Sequence, residues 1–154
     1  MHEHTYIQAG ADIDTIISQG DEAELMAVWT TYHRIQLDRA ALAGIRDNDA
    51  PVREDSPYTG AEMRQLFGDR LAEVAAVSPA QALAANHRLV ELLTGRRWWV
   101  MRDAREAGDS WAEVGAVLGR TAAAALDWYS DKIARQERYV GSHDGDRARA
   151  VLDD

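Results

Sequence analysis

Hydrophobic residues recur at helical spacing along most of this chain. Between residues 21 and 46 they form two stripes, which fall on two different faces of one helix. Alternating strand-like patterns of useful length are missing, and no internal repeat is present, so we predict an all-α fold. The first stripe comprises Leu25, Val28, Trp29, Tyr32, Ile35, Leu42 and Ile45, and the second comprises Met26, Leu37, Ala40, Ala41 and Gly44.

Boundary residues divide the rest of the first ninety-three residues. We predict a loose tail at 1–10, a short helix at 12–19, the two-faced helix at 21–46, a polar loop at 47–59, and helices at 60–77 and from 79 onward. The last helix either ends near Thr94-Gly95 or continues to Ala107. The predicted organisation is an N-terminal acidic helical bundle over 1–93, a three-helix unit over 94–140, and a flexible acidic tail over 141–154.

A helix that is apolar on two faces needs two neighbours. The second face of 21–46 either forms a homodimer contact or is covered by the helices at 60–77 and 79–93 of the same chain. The pattern does not favour one arrangement over the other.

The boundary signals are clearest between residues 94 and 140. Gly108 lies just past an apolar helical pattern, and Ser110 with Glu113 matches a capping box. Gly119 can adopt the left-handed conformation that ends a helix, and Thr121 can cap the next one. Apolar residues then fall on one face of each helix, namely Trp111, Val114, Val117 and Leu118, followed by Ala125, Tyr129 and Ile133. The stretch therefore predicts a short helix, a tight turn and a longer helix.

In the run from Ala107 to Gly115, and again at Leu118-Gly119, Thr121 and Ala125, the chain resembles helix-turn-helix segments common in actinobacterial DNA-binding proteins. These segments are similar to region four of sigma factors. The resemblance covers roughly residues 94–140. It implies a DNA-binding protein, acting as a transcriptional regulator on double-stranded DNA, with a recognition helix at about 121–139 and the homodimeric assembly expected of such proteins.

The resemblance also implies a role for individual residues. Thr121, Ala122, Ala123 and Leu126 would approach the major groove, while Arg120 and the amino end of the recognition helix would meet phosphate. Further positive charge would come from Lys132, Arg135, Arg96 and Arg97.

This sequence departs from the family where base recognition should lie. Related segments usually place polar side chains at the outward positions, whereas here these positions hold Ala122, Ala123 and Leu126. Alanine can contact a thymine methyl but cannot donate or accept a hydrogen bond at a base edge. Asp127 and Asp131 would repel phosphate. The alternative is therefore a protein-interaction adaptor or inhibitor, in which the alanine-rich helix docks on a protein partner.

Charge is distributed unevenly. The net charge of −9 argues against a protein that simply coats nucleic acid. Residues 1–86 hold 6 basic and 14 acidic side chains, residues 87–140 hold 9 and 8, and residues 141–154 hold 2 and 4. The three segments therefore carry −8, +1 and −2, so the acid is concentrated outside the helix-turn-helix. Individual arginines there could equally be surface charges paired with Asp103, Glu106 and Glu137.

Four tryptophans lie in the same region, Trp98, Trp99, Trp111 and Trp128. Aromatic rings can stack on unpaired bases, but we favour the interpretation that they form the core of the three-helix unit. Adjacent residues cannot share one helical face, so Trp98 or Trp99 must point away from that core.

Several classes of chemistry lack their signature residues. With no cysteine there is no disulfide and no thiolate ligand, and no histidine pair has metal-binding spacing. No nucleophile elbow, phosphate-binding glycine loop or dinucleotide fingerprint is present. We therefore expect no enzyme activity, catalytic residue, metal or cofactor. No apolar run of membrane-spanning length or secretory leader is found, and we expect a cytoplasmic protein without a membrane partner.

Overall fold

The computed structural model describes residues 6–140 and 145–153. Within these ranges there are seven helices and no strands, so the predicted all-α class is confirmed. Residues 1–5, 141–144 and 154, on which parts of the two predicted tails fall, lie outside the described residues. The helices are α1 (Ile13–Gln19), α2 (Glu22–Gly44), α3 (Gly60–Glu73), α4 (Pro79–Glu106), α5 (Trp111–Val117), α6 (Ala122–Val140) and α7 (Gly145–Ala150).

The chain divides into two compact units, Met1–Glu91 and Leu92–Asp154. Helix α4 is continuous from Pro79 to Glu106, so the chain passes from one unit to the other within a helix. Of the two possibilities left open at Thr94-Gly95, the structure shows the continuous helix.

The first unit is built around α2, which packs against α1 and α3. Leu25, Val28 and Ile35 of its first stripe are buried. On its second stripe, Met26 and Leu37 are exposed, so α1 and α3 do not cover that face completely. A capping box between Asp21 and Glu24 begins the helix and satisfies free backbone amides there.

Residues 6–10 are held in place, where the sequence predicted a loose tail. The backbone amide of Ala75 donates to the carbonyl of Ile7 at 2.8 Å, and the amide of Ala9 donates to the carbonyl of Glu73 at 3.0 Å. The Ile7 amide also donates to the buried hydroxyl of Thr31 at 2.9 Å. Since the chain is extended after Glu73 to make these bonds, α3 ends there rather than continuing to the predicted residue 77.

One carboxylate is buried in the first unit. Asp38 receives ion pairs from Arg34 at 3.1 Å and from Arg70 at 3.2 Å. A buried carboxylate is costly unless paired and hydrogen-bonded, so the two guanidinium groups compensate for its removal from water.

The second unit has its own hydrophobic core, in which α5 and α6 pack closely. Trp98 and Met101 come from the second half of α4, Trp111 and Val114 from α5, and Ala125, Tyr129 and Ile133 from α6. Ala125 is fully buried, and its small side chain permits close approach of α5 and α6.

The C-terminal segment also belongs to this core, where the sequence predicted a flexible tail. Residues 145–150 form α7, and Ala148 and Val151 are buried in the cluster. The Tyr129 hydroxyl donates to the carbonyl of Ala148 at 2.8 Å. Arg147 pairs with Glu106 and Arg149 with Glu137, each through a nitrogen–oxygen distance of 2.7 Å.

Candidate nucleic-acid interface

The turn between α4 and α5 forms at the residues that the sequence indicated. Gly108 has a φ of 106°, and its amide donates to the carbonyl of Arg105, while the amide of Asp109 donates to the carbonyl of Ala104. This paired arrangement closes the end of α4 and satisfies carbonyls that have no partner within the helix. Ser110 and Glu113 then form the predicted capping box, with hydrogen bonds of 2.7 and 3.2 Å.

The turn between α5 and α6 has the same pattern. Gly119 has a φ of 63°, its amide donates to the carbonyl of Ala116 at 3.1 Å, and the amide of Arg120 donates to the carbonyl of Gly115 at 2.8 Å. Only glycine adopts this backbone conformation without steric cost. The turn thus ends α5 and begins α6 within four residues, 118–121.

Gly115 lies in α5 at the point where the turn packs closely against this helix. A Cβ atom at Gly115 would lie 2.8 Å from the carbonyl oxygens of both Arg120 and Thr121. Carbon and oxygen atoms that are not bonded do not approach so closely, so any side chain here would displace the turn. The sequence run contained Gly115, but only the folded arrangement shows that the backbone on the far side of the turn touches it.

Thr121 caps α6 as predicted. Its hydroxyl accepts a hydrogen bond from the amide of Ala124 at 3.1 Å, and its side chain is exposed. The amino end of this 19-residue helix is therefore at the surface. Exposed backbone amides and the helix dipole make such an end attractive to anions.

The predicted groove-facing residues take two orientations. Thr121 and Ala123 are exposed, as is Arg120 in the turn. Ala122 and Leu126 are half-buried and pack against the core of the second unit, which corrects the expectation that they stand outward. Packing against α5 rotates α6 so that these two residues lie at the edge of its buried face.

The outward side of α6 carries two acidic residues. Asp127 and Asp131 are both exposed and lie one helical turn apart. They are on the same helix as the predicted phosphate-binding residues Lys132 and Arg135. The surface that a double helix would meet is therefore mixed in charge.

The basic residues of the second unit fall into two groups. Within residues 6–140 and 145–153, Arg120, Lys132 and Arg135 form no ion pair. Arg120 and Arg135 are exposed, and Lys132 is half-buried. On α4, Arg96 is exposed, whereas the half-buried Arg97 lies with its guanidinium carbon 5.7 Å from the ring centre of Trp128.

Other arginines serve the fold. Arg102 pairs with Asp103 at 2.9 Å, as the ion-pair interpretation expected, but it is buried and is not a surface charge. The buried Arg105 donates to the carbonyls of Asp109 at 2.7 Å and Val151 at 3.4 Å, joining the end of α4 to the C-terminal segment. The hydrophobic periodicity of the sequence could not predict that Arg105 joins these segments, because both of its acceptors are backbone carbonyl oxygens.

Two ion pairs join α7 to the end of α4 and to α6. Hydrogen bonding by Arg147 lowers the pKa of Glu106, and hydrogen bonding by Arg149 lowers the pKa of Glu137. Burial, in contrast, raises the pKa of Tyr129 to about 12, since the phenolate would lose its hydration in the core.

The tryptophans lie largely in the core, as favoured from the sequence. Trp98 and Trp111 are buried, and Trp128 packs against the same cluster from a partly exposed position. Of the adjacent pair, Trp99 is the one that points away and is half exposed. A stacking platform for unpaired bases would require several exposed rings, and among these four tryptophans only Trp99 is exposed.

Comparison with known proteins adds no relative. No protein-family model matches the chain, and neither the curated proteins nor the solved structures include a significant match. In the described part of the chain, no cluster of three or more histidine or carboxylate side chains is arranged to hold a metal ion. None of the helices described has both the length and the apolar character needed to cross a bilayer.

Proposed function

We propose that this chain binds double-stranded DNA through α5 and α6 and acts as a transcriptional regulator. One observation carries the proposal. Helix α5 is joined to α6 by a four-residue turn with Gly119 in the left-handed conformation, and the Thr121-capped amino end of α6 is exposed beyond it. Helix-turn-helix proteins present a recognition helix in this manner.

The roles of the exposed residues follow from their chemistry. Arg120 and the amino end of α6 contact backbone phosphate, and Arg135 and Lys132 add attraction further along the helix. Thr121 is able to hydrogen-bond to a base edge, and Ala123 contacts a thymine methyl. Ala122 and Leu126 support this surface from behind, because they pack on the core.

The two outward carboxylates limit the affinity. Asp127 and Asp131 face the same solvent as the phosphate-binding groups, so they oppose the approach of DNA. The attraction therefore depends on a few arginines and lysines and is strongest at low salt.

A protein-binding adaptor is the second candidate, favoured by these same carboxylates. An outward helix with Ala123, Asp127 and Asp131 would fit a partner that presents a basic groove, because small side chains allow close helix approach. This alternative moves the contact from the half-buried Ala122 and Leu126 to the acidic side of α6.

Selection of bound fragments from random duplex DNA at about 50 mM salt separates the two candidates. Recovery of a shared sequence motif supports DNA binding, and binding should fall steeply as salt rises to about 200 mM. Arg120→Glu should then weaken binding to every sequence, whereas Ala123→Ser should change base preference. Failure to enrich any duplex, with the protein shown to be folded, would leave the adaptor as the better proposal.

A further inference from the structure

An apolar groove runs between the second half of α4 and α5. Its volume is about 320 Å³. The buried side chains of Met101 and Val114 contribute to its lining, and Val100 and Val117 also line it. All of the lining residues belong to the second unit, and none comes from α6. The groove therefore shares α5 with the candidate DNA surface, but it does not include the outward side of α6.

Two of the lining valines are exposed to an unusual degree. Val117 is 87 % exposed and Val100 is 69 % exposed. Neither contributes much to the core of its own unit, because so little of each side chain is covered. An isolated exposed valine is ordinary, but two that share an apolar groove form a surface that water solvates poorly.

The groove carries opposite charges at its two ends. Arg97 lies two helical turns before Ala104 on α4, a separation of about 10 Å along the axis. Asp109 lies beyond Ala104, since its amide donates to the Ala104 carbonyl at 3.1 Å. Glu113, whose carboxylate accepts a hydrogen bond from the amide of Ser110, also lines the groove next to Asp109. The lining thus has a guanidinium at the Arg97 end and two carboxylates, those of Asp109 and Glu113, at the other end.

A surface with this order is complementary to itself. When two copies meet about a two-fold axis, each surface faces the other in reversed direction, so the positive end of one lies opposite the negative end of its partner. The protruding valines of one copy can then enter the groove of the other. A groove with the same charge at both ends would repel a second copy in this orientation.

We propose that a second copy of this chain occupies the α4–α5 groove and forms a two-fold dimer. Val117 of each copy fills the partner's groove, and Arg97 of each copy pairs with the partner's Asp109. This assigns Arg97 to dimer formation rather than to phosphate binding. It also places the dimer contact on α4 and α5, and not on the two-faced helix α2 that the sequence indicated as a candidate.

Sedimentation equilibrium of the full chain tests the contact. For the wild type at micromolar concentrations and above, we expect the mass of a dimer, twice the 17.1 kDa of one chain. In a two-fold dimer each copy buries its own Val117, so the substitution acts at two places. Val117→Asp should therefore raise the dissociation constant by more than about 100-fold. Leu37→Asp, at a comparably exposed position on α2, is the matched control and should leave the dimer intact.

Exchanging the charges of Arg97 and Asp109 tests whether the two copies are related by a two-fold axis. Arg97→Glu alone and Asp109→Arg alone should each weaken the dimer, since each places like charges opposite one another. An equimolar mixture of the two variants should recover it, because both contacts are then between opposite charges. Far-ultraviolet circular dichroism and thermal melting establish that each variant is folded. A monomeric wild type, a dimer lost with Leu37→Asp but not with Val117→Asp, or a mixture that stays monomeric would overturn the proposal.

Discussion

Gly115 gives the most direct test of how α5 and α6 are held together. In Gly115→Ala, the added Cβ would lie 2.8 Å from two backbone carbonyl oxygens of the turn, which cannot rotate away as a side chain would. Overpacking of this kind costs about 1–3 kcal/mol. Alanine in a helix is favoured over glycine by about 0.8–1.0 kcal/mol. The net expectation is a loss of stability of up to about 2 kcal/mol, measured by urea unfolding.

The chain supplies a matched control in Gly95. This residue also lies inside a helix, but a Cβ built on it meets no atom within 4 Å. Gly95→Ala should therefore raise stability by about 0.5–1 kcal/mol. Since the helix-propensity gain is common to both variants, the difference between them isolates the steric cost, about 1–3 kcal/mol. If Gly115→Ala were as stabilising as Gly95→Ala, the turn would not be pressed against α5 and the reasoning would be refuted.

Three further predictions concern Tyr129 and the C-terminal segment. Tyr129→Phe leaves the carbonyl of Ala148 without its donor and should lower the unfolding free energy by about 1–3 kcal/mol, whereas Tyr139→Phe, at an exposed position, should have almost no effect in the same urea titration. Because burial raises the pKa of Tyr129 to about 12, its contribution to stability should be complete below its ordinary pKa of 10 and be lost as pH rises toward 12; a melting temperature that is flat across this range in wild type would contradict the assignment. Deletion of residues 145–154 should lower the unfolding free energy by about 2–4 kcal/mol, since it uncovers the core around Ala148 and Val151, and an unchanged stability would mean that this segment does not pack there.

The helix ends were predictable where a local signal sets them. Gly108, Gly119 and the pair Ser110 and Glu113 act through hydrogen bonds between residues at most five apart, and the structure shows these bonds. Composition and periodicity were likewise sufficient for the all-α class. In each case the information is contained within one or two turns of the chain.

The features that the sequence did not reveal depend on contacts between distant segments. Helix α7 has too few apolar residues to show periodicity, and it is buried through Tyr129 and two ion pairs from other helices. Helix α3 ends early because residues after Glu73 bond to the segment near Ile7. The outward side of α6 could not be assigned in advance, because its rotation is set by packing on α5. Ala122 and Leu126 lie inward for that reason, and Asp127 faces solvent.

We propose that DNA contacts the outward side of α6, and removing the charge at Asp127 tests this placement. Fluorescence anisotropy with a selected duplex would compare Asp127→Asn with Asp69→Asn, which changes the net charge equally at an exposed position in the first unit. If α6 lies against phosphate, removal of the Asp127 charge should tighten binding about fivefold at low salt, corresponding to about 1 kcal/mol of repulsion, while Asp69→Asn should change it little. Equal effects of the two substitutions, or no effect of either, would contradict the placement of DNA on this helix.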